Sequence, residues 1–205
     1  QKRVLYLELD EFGDAELFFH GSGQTDMNEL IYAVKGRKKN IRLKMESAMR
    51  RDEVSGVCFY AASPLALDLN ELNEDDITVM LGELRKSGLY DIIIINRRFS
   101  LNGTGRCLWR ETDRVVMVTD GTEGGNSRFL RALESMKILA GQKQEYWMEK
   151  VSLIYNRFDS RTGQKLELPD MMLIGNIPLY EHATIPQILQ NAALLPMFDN
   201  LTRLV

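Results

Sequence analysis

The sequence predicts an α/β fold: a mostly parallel β-sheet with helices on both faces. Three observations lead there. Apolar, strand-like runs recur at wide intervals, at residues 4–9, 57–61, 91–96, 115–119, 151–156 and, shorter, 172–177. Amphipathic helical patterns fill most of the gaps between them. Residues 92–95 are four consecutive isoleucines, the pattern of a strand buried on both faces. Strands alternating with helices imply βαβ units and hence parallel pairing.

Taken in order, the first run, Tyr6-Leu-Glu-Leu-Asp10, is a short apolar strand that brings Glu8, Asp10 and Asp14 to its carboxyl end, with Gly13 allowing a turn. Ligands of parallel sheets sit at the carboxyl ends of strands, so acids there can hold a metal or a water beside a phosphate; a solvated acidic turn is the plainer alternative. Asp26 can cap a helix over 27–35 that places Leu30, Ile31 and Val34 on one face. Asp75 or Asp76 can open a helix over 77–87 whose stripe is Met80, Leu81 and Leu84, and Gly88 stops it. A third helix over 126–140 groups Phe129, Leu130, Leu133, Met136 and Ile138, with Gly141 at its end. No internal repeat, low-complexity tract or linker interrupts the series, so the expectation is one domain over residues 1–205.

Composition narrows the function. A chain of 205 residues suits one domain with a sizeable core. A net charge of −3 argues against a dedicated nucleic-acid binder. Cys58 and Cys107 lack metal-ligand spacing, and neither His20 nor His182 has a partner at such spacing, so no metal site is expected. No apolar stretch approaches the ~20 residues of a membrane span, and a cytoplasmic location is expected. The glycine clusters Gly21-Ser-Gly23, Gly103-Thr-Gly105 and Gly124-Gly125 lack the lysine and following hydroxyl of a phosphate-binding loop, and are read as loops.

Five segments in fixed order carry a resemblance: Tyr6-Leu-Glu-Leu-Asp10, Tyr90-Asp-Ile-Ile-Ile-Ile-Asn96, Arg114-Val-Val-Met-Val-Thr-Asp120, Leu153-Ile-Tyr-Asn-Arg-Phe-Asp159 and Ile174-Gly-Asn-Ile-Pro-Leu-Tyr180. The series resembles the MinD/ParA superfamily of deviant P-loop ATPases over nearly the whole chain. The stretches Met27-Asn-Glu-Leu-Ile-Tyr-Ala-Val-Lys35 and Tyr180-Glu-His-Ala-Thr-Ile-Pro-Gln-Ile188 resemble its TadZ/CpaE branch, the localisation ATPases of Flp (Tad) pilus assembly.

The resemblance implies a P-loop NTPase fold, ATP and Mg²⁺ as cofactors, a homodimer that sandwiches nucleotide, and pilus assembly proteins as partners, which would recruit the protein to the membrane or cell pole. It implies that Glu8 and Asp10 lie near the γ-phosphate, magnesium and attacking water, where a carboxylate orients the water or holds a metal-coordinated one. Asn156 matches the asparagine that hydrogen-bonds the adenine edge. Pro178 and Tyr180 match the loop lining the base pocket, so these three residues are expected to converge with Asp10 on one crevice.

Two departures qualify this. Asn96 stands where the family has its Walker B aspartate, and an amide cannot supply the negative charge that helps hold Mg²⁺; Asn96→Asp is expected to raise magnesium-dependent nucleotide binding. Arg97 and Arg98 follow, where small residues or proline are usual, and can contact phosphate bidentately or lie in solvent. No Walker A loop occurs in the sequence, so the phosphate loop and its central strand are expected upstream in a longer protein, and hydrolysis by this chain alone is not expected. The basic run Lys35, Arg37, Lys38, Lys39, Arg42, Lys44, Arg50 and Arg51, with only Glu46 to offset it in sequence, can dock on an anionic surface or be a solvated helix face, the latter favoured by interleaved Ile41, Leu43, Met45 and Met49. Residues 185–205 lack a basic amphipathic pattern and read as core-packing. Three functions remain open: a nucleotide-switched localisation factor, a non-hydrolysing scaffold of the same fold, and an unrelated nucleotide-binding α/β module.

Overall fold

Alternating apolar residues make β1 (Val4–Glu8) a strand with Leu5 and Leu7 on one face and Tyr6 and Glu8 on the other. The computed structural model containing it describes residues 2–143 and 146–202. The chain divides into two units, residues 1–111 and 112–205.

In the first unit, α1 (Met27–Lys35) and α2 (Ile41–Ala48) follow β1, then β2 (Arg50–Arg51), β3 (Cys58–Phe59), α3 (Leu67–Asn70), α4 (Glu74–Ser87), β4 (Ile92–Asn96) and α5 (Gly103–Glu111). The sheet order is β2-β3-β1-β4. β1 runs parallel to both neighbours, and only β2 pairs antiparallel. In the β1–β4 register Leu5 faces Ile93, Leu7 faces Ile95, and Glu8 faces Asn96. Leu5, Leu7 and Leu9 pack with Leu30 and Val34 of α1 and Ile77, Met80 and Leu84 of α4 into one core. Each such side chain contributes about 1.5–3 kcal/mol by leaving water.

The helix ends follow local chemistry. Asp26 accepts the Asn28 N–H and caps α1, as expected. The α4 cap is neither Asp75 nor Asp76 but Asn73. Its side chain accepts the Asp76 N–H while the Asp76 carboxylate accepts the Asn73 N–H, so both ends of the first turn are satisfied. Gly88 closes α4 at φ 62°, a left-handed position that favours glycine. Gly103-Thr-Gly105 is not a loop: it forms the first turn of α5, with Asn102 accepting the Gly105 N–H. The basic run is spread over the end of α1, the turn after it, α2 and β2, and Arg42 with Glu46, Lys44 with Glu29, Lys35 with Glu71, Arg37 with Asp76 and Arg50 with Glu16 form ion pairs. Apart from Glu46 the offsetting acids come from elsewhere in the chain, which favours the solvated-face reading over an anionic dock.

The second unit comprises β5 (Val115–Thr119), α6 (Glu123–Lys143), β6 (Val151–Phe158), β7 (Met172–Pro178), α7 (Ile185–Ala193) and α8 (Met197–Thr202). Its sheet is parallel in the order β5-β6-β7. Gly124-Gly125, expected as a loop, lies in the first turn of α6, which begins three residues earlier than the apolar stripe suggests. α6 packs on β5 and α8 on β7, where Met197 closes a small core with Ile154 and Ile174. Met197 packs as expected of the last segment, but α7 leaves Ile185 and Leu189 exposed.

The strands beginning near Val4, Asp91, Val115 and Val151, which the sequence suggests are neighbours or near-neighbours, pair instead as β1–β4 and β5–β6 in two separate sheets. Among the described residues, β4 pairs only with β1 and β5 only with β6. Both carry apolar side chains open to solvent: Ile94 on β4, Val116 and Val118 on β5. No described helix is long and apolar enough to cross a membrane.

Candidate functional site

Parallel strands deliver their carboxyl ends to one edge of a sheet, and in the first unit that edge collects Glu8, Asp10, Asn96, Arg97 and Arg98. Glu8 is the most constrained of them. Its carboxylate is 6% exposed, and both of its oxygens lie 3.0 Å from the Asn96 Nδ2. Oε2 also accepts the Tyr6 hydroxyl at 2.9 Å and Oε1 the Asp10 N–H at 3.0 Å. Gly13 completes the enclosure, because a Cβ there would sit 2.2 Å from the Glu8 carboxyl carbon. Burial, then the charge of Glu8, push the Tyr6 phenol above its ordinary pKa, keeping it a donor.

Glu8 and Asn96 meet as partners: the amide satisfies a buried carboxylate, and both Glu8 oxygens are engaged. Asp10 is the more available acid. Its side chain is about one-fifth exposed, accepts the Phe12 N–H at 3.0 Å and lies 3.4 Å from the Arg98 guanidinium, which covers the Phe12 ring. Arg97 is half-buried; its Nη2 donates to the Thr104 Oγ1 at 2.8 Å, and burial lowers its pKa against the raising influence of Glu11 and Asp10. Tyr6 was not singled out from the sequence, although it stands two residues before Glu8 and therefore on the same strand face. Mg²⁺ fits this edge poorly. The end of β4 offers only the Asn96 amide, that amide and Glu8 are joined to each other, and among the described residues no three His, Cys, Asp or Glu side chains cluster as metal ligands.

The second unit presents a different edge. Asn156 is exposed near the carboxyl end of β6, and its amide makes no hydrogen bond among the described residues. Arg157 follows at φ 58°. Pro178 ends β7 opposite Phe158, and the Leu179 N–H donates to the Phe158 carbonyl at 3.1 Å. Beyond it Tyr180 is half-buried and lines an open concavity of about 620 Å³ with Leu179, Glu181, His182, Ala183, Gln187, Gln190 and Asn191. His182, in that lining, stands at φ 59° in the loop before α7. A free amide and a half-buried phenol ring suit the polar edge and flat face of a purine. Asp10 belongs to the first unit and Asn156, Pro178 and Tyr180 to the second.

No protein-family model matches the sequence, and no curated protein matches it. Solved structures do. A ParA family ATPase from Chlorobium tepidum TLS superposes with TM-score 0.67 at 15% identity, covering 92% of this chain and 76% of that one. A plasmid partition protein from Borrelia burgdorferi gives 0.64 at 13%, over 100% and 87%. The septum site-determining protein MinD of Pyrococcus horikoshii OT3, complexed with Mg-ADP, gives 0.60 at 16%, over 87% and 70%. The fold of this chain is that of the ParA/MinD P-loop NTPases.

Proposed function

We propose that the protein is a nucleotide-dependent localisation factor of TadZ/CpaE type, which positions Flp (Tad) pilus machinery from the cytoplasm as an ATP-sandwich homodimer. One observation carries the nucleotide part: a fold likeness covering 92% of the chain coincides with an unpartnered amide, Asn156, where the resemblance expects the adenine contact. Asn156, Pro178 and Tyr180 are the proposed base-side residues, and Asp10, Glu8 and Asn96 the proposed phosphate-side residues. The pilus assignment rests on the sequence resemblance at residues 27–35 and 180–188.

A phosphate loop is proposed to be supplied by a strand outside this sequence. Its support is that β4 and β5 each end a sheet with an open apolar edge, a liability unless another strand pairs there. A second reading, a scaffold of the same fold without hydrolysis, is favoured by Asn96, whose amide is joined to Glu8 where catalysis needs an acid.

Light scattering of the protein with and without ATP and Mg²⁺ tests the proposal. A nucleotide-dependent dimer is expected. A monomer under both conditions at micromolar concentration would overturn it.

A further inference from the structure

Arg97 is a half-buried guanidinium whose described partner is one neutral hydroxyl, that of Thr104, which in turn donates to Asn102 Oδ1 at 3.0 Å. Among the described residues no carboxylate lies within ion-pair distance of it, and Glu11 and Asp10 act on it only through space. A partly desolvated cation with no carboxylate in direct contact is costly, and a planar fork with several donors left over matches a phosphoryl group. Its neighbour Arg98 lies at the same edge, mostly exposed, in a 3.4 Å contact to Asp10 and over the Phe12 ring. The acids that would otherwise hold a cation are engaged, Glu8 by Asn96, Tyr6 and the Asp10 N–H, and Asp10 by the Phe12 N–H and Arg98.

We infer that Arg97 and Arg98 receive the phosphate-bearing end of the ligand directly, so that this unit binds a phosphoanion without a divalent cation. The inference rests on the nucleotide reading above only for the identity of the ligand; the arginine pair itself is a property of the carboxyl edge of β1 and β4. Charge neutralisation by two guanidinium groups replaces the task that Mg²⁺ and an aspartate would share.

Calorimetric titrations with ATP and with inorganic tripolyphosphate, each in EDTA and in Mg²⁺, test it on the wild type, Arg97→Gln, Arg97→Lys and Arg98→Gln, with circular dichroism checking that each variant folds. Both ligands are expected to bind in EDTA, with Mg²⁺ changing affinity little. Arg97→Gln should weaken both about 10- to 100-fold, Arg97→Lys less, and the exposed Arg98→Gln about tenfold. Binding that appears only with Mg²⁺, or that both glutamine variants leave unchanged, overturns the inference but leaves the nucleotide reading intact. Tripolyphosphate binding as tight as ATP supports the arginine site and overturns the nucleotide reading. No binding of either ligand overturns both.

Discussion

The two carboxyl edges of this protein solve opposite problems. At the end of β1 and β4 both Glu8 oxygens are matched: one amide, one phenol and one backbone N–H enclose a carboxylate that Gly13 lets lie against the chain. Near the end of β6 the comparable amide, Asn156, stands exposed and, among the described residues, makes no hydrogen bond. The same residue type therefore acts as a structural clamp in one unit and as an unsatisfied donor and acceptor in the other. Position in a strand does not assign a role to an asparagine; its neighbours do.

The comparison breaks most sharply at Asn96. Asn96→Leu would leave the Glu8 carboxylate buried without its amide and should lower stability by about 3 kcal/mol in urea unfolding. Asn96→Asp should cost about 2 kcal/mol at pH 7, because two carboxylates opposed across β1 and β4 disfavour joint ionisation. The like charge raises a folded pKa above its unfolded value, so the stability is present at low pH and lost as pH rises. The variant should accordingly recover as pH falls toward 5, and millimolar Mg²⁺ should restore part of the loss at pH 7. A variant as stable as wild type at pH 7 would show that Glu8 and Asn96 are not coupled.

Gly13→Ala tests the enclosure from the other side. The added methyl overlaps the Glu8 carboxyl group and must push it off Asn96, at about 1–3 kcal/mol. Faster amide exchange at residues 4–8 and 92–96 is the accompanying readout; unchanged exchange would mean that the side chain finds room.

Acid should loosen the first unit at a different place. Asp52 is held down to about 2, chiefly by the His20 N–H and then by the Ser55 hydroxyl and N–H, which tie the segment before α1 to the β2–β3 hairpin. Asp91 is likewise held to about 2 by the Arg3 side chain and N–H. Both folded values lie below the ordinary carboxylate range, so their stabilisation is complete above about pH 4 and lost as pH falls toward 2. Hydrogen exchange at residues 50–59 should rise in that window, and Asp52→Asn should flatten the dependence there. Exchange independent of pH from 4 to 2 would remove Asp52 as the tie.

The strands were readable because apolar runs mark them: β4 and β5 stand within one residue of the expected positions. β2 was hidden because its two residues are arginines inside what reads as a basic helix; the turn held by Asp52 makes it a strand. α5 was hidden by its glycines. Gly105 is there because the Ser100 carbonyl lies 2.2 Å from where a Cβ would be, a close approach that a sequence does not display; Asn102, its cap, was the available signal. The acid-ended strand and Asn156 were legible as strand-end polar residues. The Glu8–Asn96 clamp was not, since its members are 88 residues apart and meet only through the register of a parallel pair.

The smallest effect on stability, and the most telling for function, belongs to Asn156→Ala. The side chain is exposed and, among the described residues, makes no hydrogen bond, so its removal should change unfolding by less than about 0.5 kcal/mol, against about 3 for Asn96→Leu. If the amide reads a purine edge, the same change should weaken ATP about tenfold while leaving tripolyphosphate binding unaltered, because only ATP carries the base. Tyr180→Leu, which keeps bulk and removes the aromatic face, should weaken ATP in the same direction and by a smaller factor. Equal losses for ATP and tripolyphosphate would mean that the second unit acts on the phosphates or on the fold rather than on the base. A loss of stability at Asn156 comparable to that at Asn96 would erase the distinction between clamp and open donor altogether.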